Sequence, residues 1–213
     1  MKLDQLASPE IWPLNTLFPY PSHTDGQTEK AHGQMTADAT VKAFKRAPSV
    51  EMSTWYKGIL ISSLATEQDT GGAFEFVVTK MRAGTEPPPH VHEREHEMFY
   101  VLEGMIDVYA GDKCFRAAAG ECVFLPKRKA HAFKIHSSEV HMLVLMTPGG
   151  FMNASATMAI PAQSLVIPPD DGITYATVDL YETIRAFEKY GVRFLAPEEI
   201  ALELPAFPLR PSH

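Results

Sequence analysis

The middle of the chain has the residue pattern of a series of short β-strands. One run alternates in character, so that Phe74, Phe76 and Val78 share one face and Glu75 and Thr79 share the other. The remaining runs are rich in β-branched, aromatic and aliphatic residues, as strands are. The predicted strands comprise residues 56–65, 73–82, 97–102, 105–110, 114–117, 122–125, 132–136 and 140–147.

Turn residues separate these strands. Gly71 and Gly72 follow the first, Gly104 stops another, and Gly111-Asp112 joins two runs as a hairpin turn does. Residues 55–147 show no alternation of strands with helices of the parallel α/β kind. Short strands with Gly-rich turns are typical of antiparallel sandwiches and barrels, so the sequence predicts an all-β fold.

The sequence on either side of the strands has a different character. Residues 1–50 contain several prolines and no sustained periodicity, and we interpret them as an N-terminal arm. Residues 51–150 are predicted to form the barrel. Residues 151–213 are predicted to form a loop and a helical extension that packs on the barrel.

The extension contains one clear helix signal, in residues 179–190. Asp179 is placed to cap the helix, and Glu182 three residues later completes a capping box. Gly191 ends the pattern, and Pro197 is placed to open one further helical turn. The apolar stripe, which is expected to pack against the barrel, consists of Leu180, Ile184 and Phe187.

Charge and composition exclude several classes of function. The formal net charge is -7 and no basic cluster is present, which argues against binding to nucleic acid or to an anionic membrane surface. Residues 1–13 lack the apolar core of a signal peptide, and no window approaches the length of a membrane-spanning helix. The expected location is therefore the cytoplasm.

The chain has only two cysteines, Cys114 and Cys122, which are too few for a disulfide framework. They could lie on neighbouring strands, so a single bridge stays open. Two buried, reduced thiols are the preferred interpretation, because free cysteine is among the most frequently buried residues.

Candidate metal ligands lie in the segment of residues 84–104. His90 and His92 are two residues apart, so on an extended strand both imidazoles point to the same side. Glu97 would lie on the wrong face of an uninterrupted strand. The polar residues 93–96 supply a bend that can bring the Glu97 carboxylate back towards the two histidines.

A second segment, residues 120–131, ends in a fourth candidate ligand. His131 follows a turn around Pro126, which can place it across from the first histidine pair. Three imidazoles and one carboxylate suit Mn, Fe, Co, Ni, Cu or Zn, whereas Ca and Mg prefer oxygen ligands. Four protein ligands leave up to two positions open on an octahedral ion, as a substrate or dioxygen requires.

These two segments resemble the two motifs of the cupin superfamily. The first motif, G-x5-H-x-H-x(3,4)-E-x6-G, is matched at every fixed position. The second, G-x5-P-x-G-x2-H-x3-N, is matched except that Arg128 replaces its second glycine and Ile135 its asparagine. Neither of these two positions is a metal ligand in the family. The matching residues are Gly84, His90, His92, Glu97, Gly104, Gly120, Pro126 and His131.

The resemblance implies a double-stranded β-helix, or jelly-roll, barrel that holds one divalent transition metal through His90, His92, Glu97 and His131. Residues 69–72, 99–104 and 147–151 are also similar to single-domain quercetin 2,3-dioxygenase-like cupins. This similarity implies a dioxygenase that acts on an enolic or aromatic small molecule, with Glu97 also serving as the catalytic base. A homodimer formed by strand exchange, with the N-terminal arm as the exchanged material, is the expected assembly.

Other interpretations stay open at this point. The same ligands would serve a metal-dependent lyase, isomerase or decarboxylase, and a non-enzymatic small-molecule-binding barrel is a third possibility. His96 competes with Glu97 as a ligand, but its polar neighbours predict an exposed turn. Four apolar residues are candidates for a substrate pocket, although core packing is the more frequent fate of such residues: Phe74, Phe76, Phe99 and Met142.

Overall fold

The structure is a computed structural model that describes residues 41–170 and 172–208. These residues belong to one compact unit, Asp38–His213. Most of the arm predicted for residues 1–50 lies outside the described residues. Its described end forms no helix or strand before a 3-10 turn at Val50–Met52.

The described residues form two antiparallel sheets whose inner faces enclose the core, which confirms the predicted all-β jelly-roll barrel. In spatial order, the first sheet contains β11 (Ile160–Pro161), β1 (Ser53–Tyr56), β2 (Ile59–Ala65), β3 (Glu75–Arg82), β10 (Glu139–Thr147), β5 (His96–Glu103) and β8 (Cys122–Leu125). The second contains β12 (Val192–Phe194), β4 (His90–His92), β9 (His131–Ile135), β6 (Met105–Ala110) and β7 (Lys113–Ala118).

One predicted strand is two strands in the structure. The run of residues 56–65 is broken by a tight turn, in which Lys57 has a φ of 48° and Gly58 a φ of 83°. A Cβ on Gly58 would lie 2.8 Å from the Thr85 methyl carbon, so the turn also needs the small residue. Tyr56 therefore ends β1 and pairs back onto Ile59 at the start of β2.

The inward face of β3 carries Glu75, Val77, Thr79 and Met81, and the phenylalanines lie on the other side. Phe74 is exposed and Phe76 is half-buried, so neither the preferred core packing nor the alternative role in a pocket applies to them. Phe99 and Met142 are buried in the core between the sheets, as preferred, and they also line the cavity there.

The described helices are α1 (Asn153–Ala156), α2 (Tyr181–Glu188) and α3 (Pro197–Glu203). Helix α2 is the predicted helix, shortened at both ends. The Asp179 carboxylate accepts a hydrogen bond from the Tyr181 backbone N–H at 2.9 Å, and Phe187 is buried against the barrel. None of the helices in the described ranges is long and apolar enough to cross a bilayer.

The two cysteines are free thiols, and both are exposed. The prediction of two reduced thiols is therefore correct in its chemistry but wrong in burial. Cys114 lies on β7 and Cys122 on β8, which are edge strands of their sheets. Side chains on the outer face of an edge strand have fewer neighbours to cover them.

Candidate metal centre

The three candidate histidine ligands lie on adjacent strands of the second sheet. Residues 87–89 are all proline, which keeps the chain extended as it enters β4. His90 and His92 are on β4, and His90 is in direct register with His131 on β9. The strand period and this register together bring the three imidazoles to one place, and all three are buried.

The candidate carboxylate ligand, Glu97, comes from the opposite sheet. Residues 93–95 form the bend between β4 and β5, and Glu97 is the second residue of β5. Its Oε2 lies 3.3 Å from His131 Nε2 and 3.7 Å from His92 Nε2. One ligand atom from each of the four residues lies within 4.8 Å of the others. The structure thus brings together all four residues predicted from the sequence.

Hydrogen bonds on the far side of two rings fix the direction in which their lone pairs point. His90 Nδ1–H donates to the Pro88 carbonyl at 2.8 Å, and His131 Nδ1–H donates to the Lys129 carbonyl at 3.0 Å. In these tautomers each Nε2 presents a lone pair to the centre of the cluster. Burial, and then the neighbouring His131 and His92, hold the pKa of His90 well below its ordinary value, so this ring stays neutral.

The atoms that meet here suit a cation, because Glu97 Oε2 and, in these tautomers, His90 Nε2 and His131 Nε2 are all acceptors. His90 Nε2 lies 3.2 Å from His92 Nε2, and neither His131 Nε2 nor Glu97 Oε2 has a hydrogen-bond partner among the described residues. Buried acceptors that face one another without a donor are costly, and a metal ion between them satisfies all of them at once. Three imidazoles and a carboxylate match Mn, Fe, Co, Ni, Cu or Zn.

Glu95 is a buried acid beside the site that the sequence analysis missed. Its polar neighbours predict a solvated turn, yet Glu95 is only 3% exposed. Its Oε2 faces His92 Nδ1 at 3.6 Å, outside hydrogen-bond distance, and neither atom has another partner among the described residues. A small shift would bring the two atoms into contact, and a carboxylate bonded there would orient the ring and increase the basicity of the nitrogen on the other side. The signal available in the sequence was only that Glu95 lies three residues after a ligand.

We expect Glu95→Gln to weaken metal binding by roughly 10-fold to 100-fold, because the carboxylate that orients His92 is lost. The measurement is competition of the apo protein with a chelating dye for Zn²⁺ or Co²⁺. Glu93→Gln is the matched control, since Glu93 lies in the same bend with its side chain about half exposed. Affinities within twofold of wild type for both variants would show that Glu95 has no such role.

Arg128, at the position where the resembled motif has a glycine, adopts a backbone conformation that glycine favours. Its φ is 61°, in the left-handed region. The Arg128 backbone N–H donates to the His92 carbonyl at 2.7 Å. This bond ties the turn before β9 to β4.

The four candidate ligands adjoin a cavity inside the barrel. We call this group of side chains, His90, His92, Glu97 and His131, the metal cluster. The cavity has a volume of about 90 Å³, and His90 and Glu97 line it together with mostly apolar side chains from both sheets. Hydrophobic surroundings of this kind exclude water and strengthen electrostatic interactions with anything bound there.

Aromatic side chains from the region after the barrel strands cover the cluster. Phe151 packs edge-on against His92, with ring centroids 4.7 Å apart, and Phe194 lies 5.9 Å from His90. Phe187 of α2 contacts both phenylalanines, at 5.7 and 5.6 Å. The apolar stripe of the predicted helix therefore does more than pack on the barrel, because Phe187 forms part of the cavity wall.

Other candidate residues lie away from the cluster. His96 stacks on Phe124 on the outer face of the first sheet, with ring centroids 5.5 Å apart, and its Nδ1 accepts a hydrogen bond from the Lys127 backbone N–H. Tyr100 is exposed, and Tyr109 packs against Phe207 in a separate apolar cluster.

Comparison with known proteins agrees with the all-β barrel fold described above. Residues 77–148 match the Cupin domain family. The chain is 25% identical over 105 residues to a quercetin 2,3-dioxygenase of Bacillus subtilis (strain 168), a match that covers 49% of this chain and 31% of that protein. The chain thus spans about a third of the length of the curated relative that it matches.

Two solved structures illustrate the structural similarity. KdgF from Halomonas sp. matches with a TM-score of 0.40 and 22% identity over 44% of this chain and 81% of its own. The nucleoside dehydratase Pac13 from Streptomyces matches with a TM-score of 0.40 and 17% identity over 49% of this chain and 83% of its own.

Proposed function

We propose that this protein is a metal-dependent dioxygenase that acts on an enolic or aromatic small molecule. The match of residues 77–148 to the Cupin domain family supports this proposal. The observation that carries the proposal is the metal cluster, in which four buried ligand atoms lie within 4.8 Å of one another at the wall of an apolar cavity. The partial match to a protein named quercetin 2,3-dioxygenase supports the choice of a dioxygenase.

His90, His92, Glu97 and His131 would hold one divalent transition metal. When bound, this ion would supply Lewis acidity and up to two open coordination positions for substrate and dioxygen. The chain itself keeps the His90 and His131 imidazoles oriented through the Pro88 and Lys129 carbonyls.

Glu97 is the group placed to move a proton. Its carboxylate lines the cavity, and Oε2 is the oxygen that faces His92 and His131. With Oε2 on the ion, Oε1 would be the acceptor for a hydroxyl of an enol or phenol in the cavity. Transfer of that proton to Glu97 leaves an anion on the substrate, which is more easily oxidised than the neutral molecule.

The first experiment is elemental analysis of the purified protein beside His92→Ala. We expect about one transition-metal ion per wild-type chain and less than about a tenth of that in the variant, because His92 supplies one of four ligands. Wild-type protein that binds no metal even after reconstitution would overturn the proposal.

Turnover with and without dioxygen then tests the reaction class. A dioxygenase consumes dioxygen in step with an enolic or phenolic substrate and stops under anaerobic conditions. Turnover that continues without dioxygen would instead identify a lyase, isomerase or decarboxylase, in which the same ligands serve Lewis-acid chemistry alone.

A further inference from the structure

Two buried hydroxyl groups in the cavity are left without partners by the rest of the barrel. Tyr56 is 3% exposed and Thr79 is 7% exposed, and both line the cavity that adjoins the metal cluster. Neither Tyr56 OH nor Thr79 Oγ1 has a hydrogen-bond partner among the described residues. A buried hydroxyl without a partner costs roughly 1–3 kcal/mol, so a cavity with two of them is not built for packing alone.

Neighbouring polar groups meet this need only in part. Tyr175 and Thr183 lie close enough to the Tyr56 hydroxyl to affect its pKa, but neither reaches full hydrogen-bond geometry with it. Ser155 also lines the cavity, and its hydroxyl is already satisfied by the Met152 carbonyl at 3.1 Å. Burial raises the pKa of Tyr56 to about 12, so its hydroxyl stays protonated and available as a donor.

The two hydroxyls lie at a different level of the barrel from the metal cluster. Thr79 is in register with Met142, and Met142 is in register with Val101. Val101 lies four residues beyond Glu97 on β5, which corresponds to roughly 13 Å along the strand. The backbone of Tyr56 is at the same end of the sheet as Thr79, because Tyr56 pairs with Ile59 and the adjacent Leu60 pairs with Lys80. A molecule in the cavity therefore meets Glu97 near one end and the hydroxyl pair near the other.

The cavity limits the size of that molecule. Its volume of about 90 Å³ is well below the ~300–1,000 Å³ that is usual for pockets that bind drug-sized ligands. A flavonol with three rings does not fit into this space, whereas a molecule with one ring is far closer to it. The walls between the two ends are apolar, which suits an aromatic ring.

We propose that Tyr56 and Thr79 form the distal polar end of the substrate site, and that the substrate is a single-ring phenol or enol with one further hydroxyl or carbonyl oxygen opposite the reacting group. This inference rests on the proposed function, since it takes Glu97 and the metal cluster as the reacting end. Tyr56 OH would donate to the distal oxygen, and Thr79 Oγ1 would donate to it or accept from it.

Calorimetric titration of the metal-loaded protein without dioxygen tests the proposal with matched probes. One pair is 4-methylphenol and 4-(hydroxymethyl)phenol, the other is 4-ethylphenol and 4-(2-hydroxyethyl)phenol, and quercetin serves as the size probe. In the tighter-binding pair we expect wild type to prefer the hydroxyl compound by about tenfold, as one gained hydrogen bond to a buried group allows. Quercetin is expected to bind more weakly than either hydroxyl compound.

Tyr56→Phe and Thr79→Val should each reduce the preference to about twofold or less, while Tyr109→Phe should retain it because Tyr109 packs outside the cavity. Neither cavity variant should lower the melting temperature, because each removes an unpartnered buried hydroxyl with little change in shape. A lowered melting temperature would indicate a structural hydrogen bond instead.

The results separate this inference from the proposed function. Tyr56→Phe and Thr79→Val are expected to keep the metal content of the wild type. A wild type that binds no metal would therefore contradict the proposed function and not the distal site. Equal affinity of wild type for both members of each pair, an unchanged preference in both variants, or tighter binding of quercetin would overturn the distal site and the single-ring substrate. Failure of all four phenols to bind metal-loaded wild type would do the same.

Discussion

Glu97→Gln is expected to lower kcat/KM by roughly 10²-fold to 10⁴-fold, the range in which a general base contributes. The amide has nearly the shape of the carboxylate but cannot accept the substrate proton. Its oxygen can still face His131 Nε2 and His92 Nε2, from which the Glu97 carboxylate lies 3.3 and 3.7 Å away. We therefore expect the purified variant to keep most of its metal, as elemental analysis would show.

The matched control is Glu103→Gln, at the other end of the same strand with its side chain exposed. This variant should retain wild-type turnover. Full activity in Glu97→Gln would exclude the carboxylate as the base. Loss of metal together with activity would assign Glu97 to ligation and leave the proton acceptor to be found elsewhere.

Gly104→Ala is expected to destabilise the fold by about 2–5 kcal/mol. Gly104 has a φ of 86°, which costs a residue with a Cβ roughly 1–2 kcal/mol. A Cβ there would also collide with the Glu139 carbonyl oxygen and lie 2.7 Å from Ser137 Oγ. Those atoms cannot retreat easily, because Ser137 Oγ bonds the Met105 N–H at 3.0 Å, so overpacking adds a cost of about 1–3 kcal/mol.

Gly120→Ala separates the cost of the backbone conformation from the cost of the close contacts. Gly120 has a φ of 91°, but a Cβ on it would meet nothing within 4 Å. Urea denaturation should therefore show a loss of only about 1–2 kcal/mol for this variant. Equal losses for the two variants would mean that the backbone conformation accounts for the whole effect and that the close approach at Gly104 is relieved.

Much of the candidate site could be predicted from the sequence, because the relevant geometry is local. Side chains two residues apart on a strand point to the same face, so the His90 and His92 imidazoles lie side by side wherever the strand is placed. The Gly-rich turns fix where strands end, which is why most predicted strand boundaries lie within one or two residues of those observed. The break at Lys57 and Gly58 was hidden because apolar residues continue on both sides of it.

Glu95 shows where local reasoning fails. Its neighbours Glu93 and Arg94 are exposed, and nothing in the residue pattern separates it from them. It is buried because the bend between β4 and β5 turns its side chain under the His92 ring. The direction of a side chain within an irregular bend depends on the two sheets that the bend connects, and no sequence period encodes it.

The residue pattern alone predicted the all-β class, eight of the strands and the four residues that meet in the metal cluster. Which face of β3 points inward became apparent only in the folded structure. The usual rule places apolar side chains inside, yet Val78 is buried on the outer face, where Lys80 and Arg82 bond the Leu165 and Pro168 carbonyls of a segment that crosses the strand. Because this segment covers the outside, apolar residues gain burial on both faces, and alternation alone cannot identify the interior. The same long-range packing brought Thr79 into the cavity and Phe187 over the cluster.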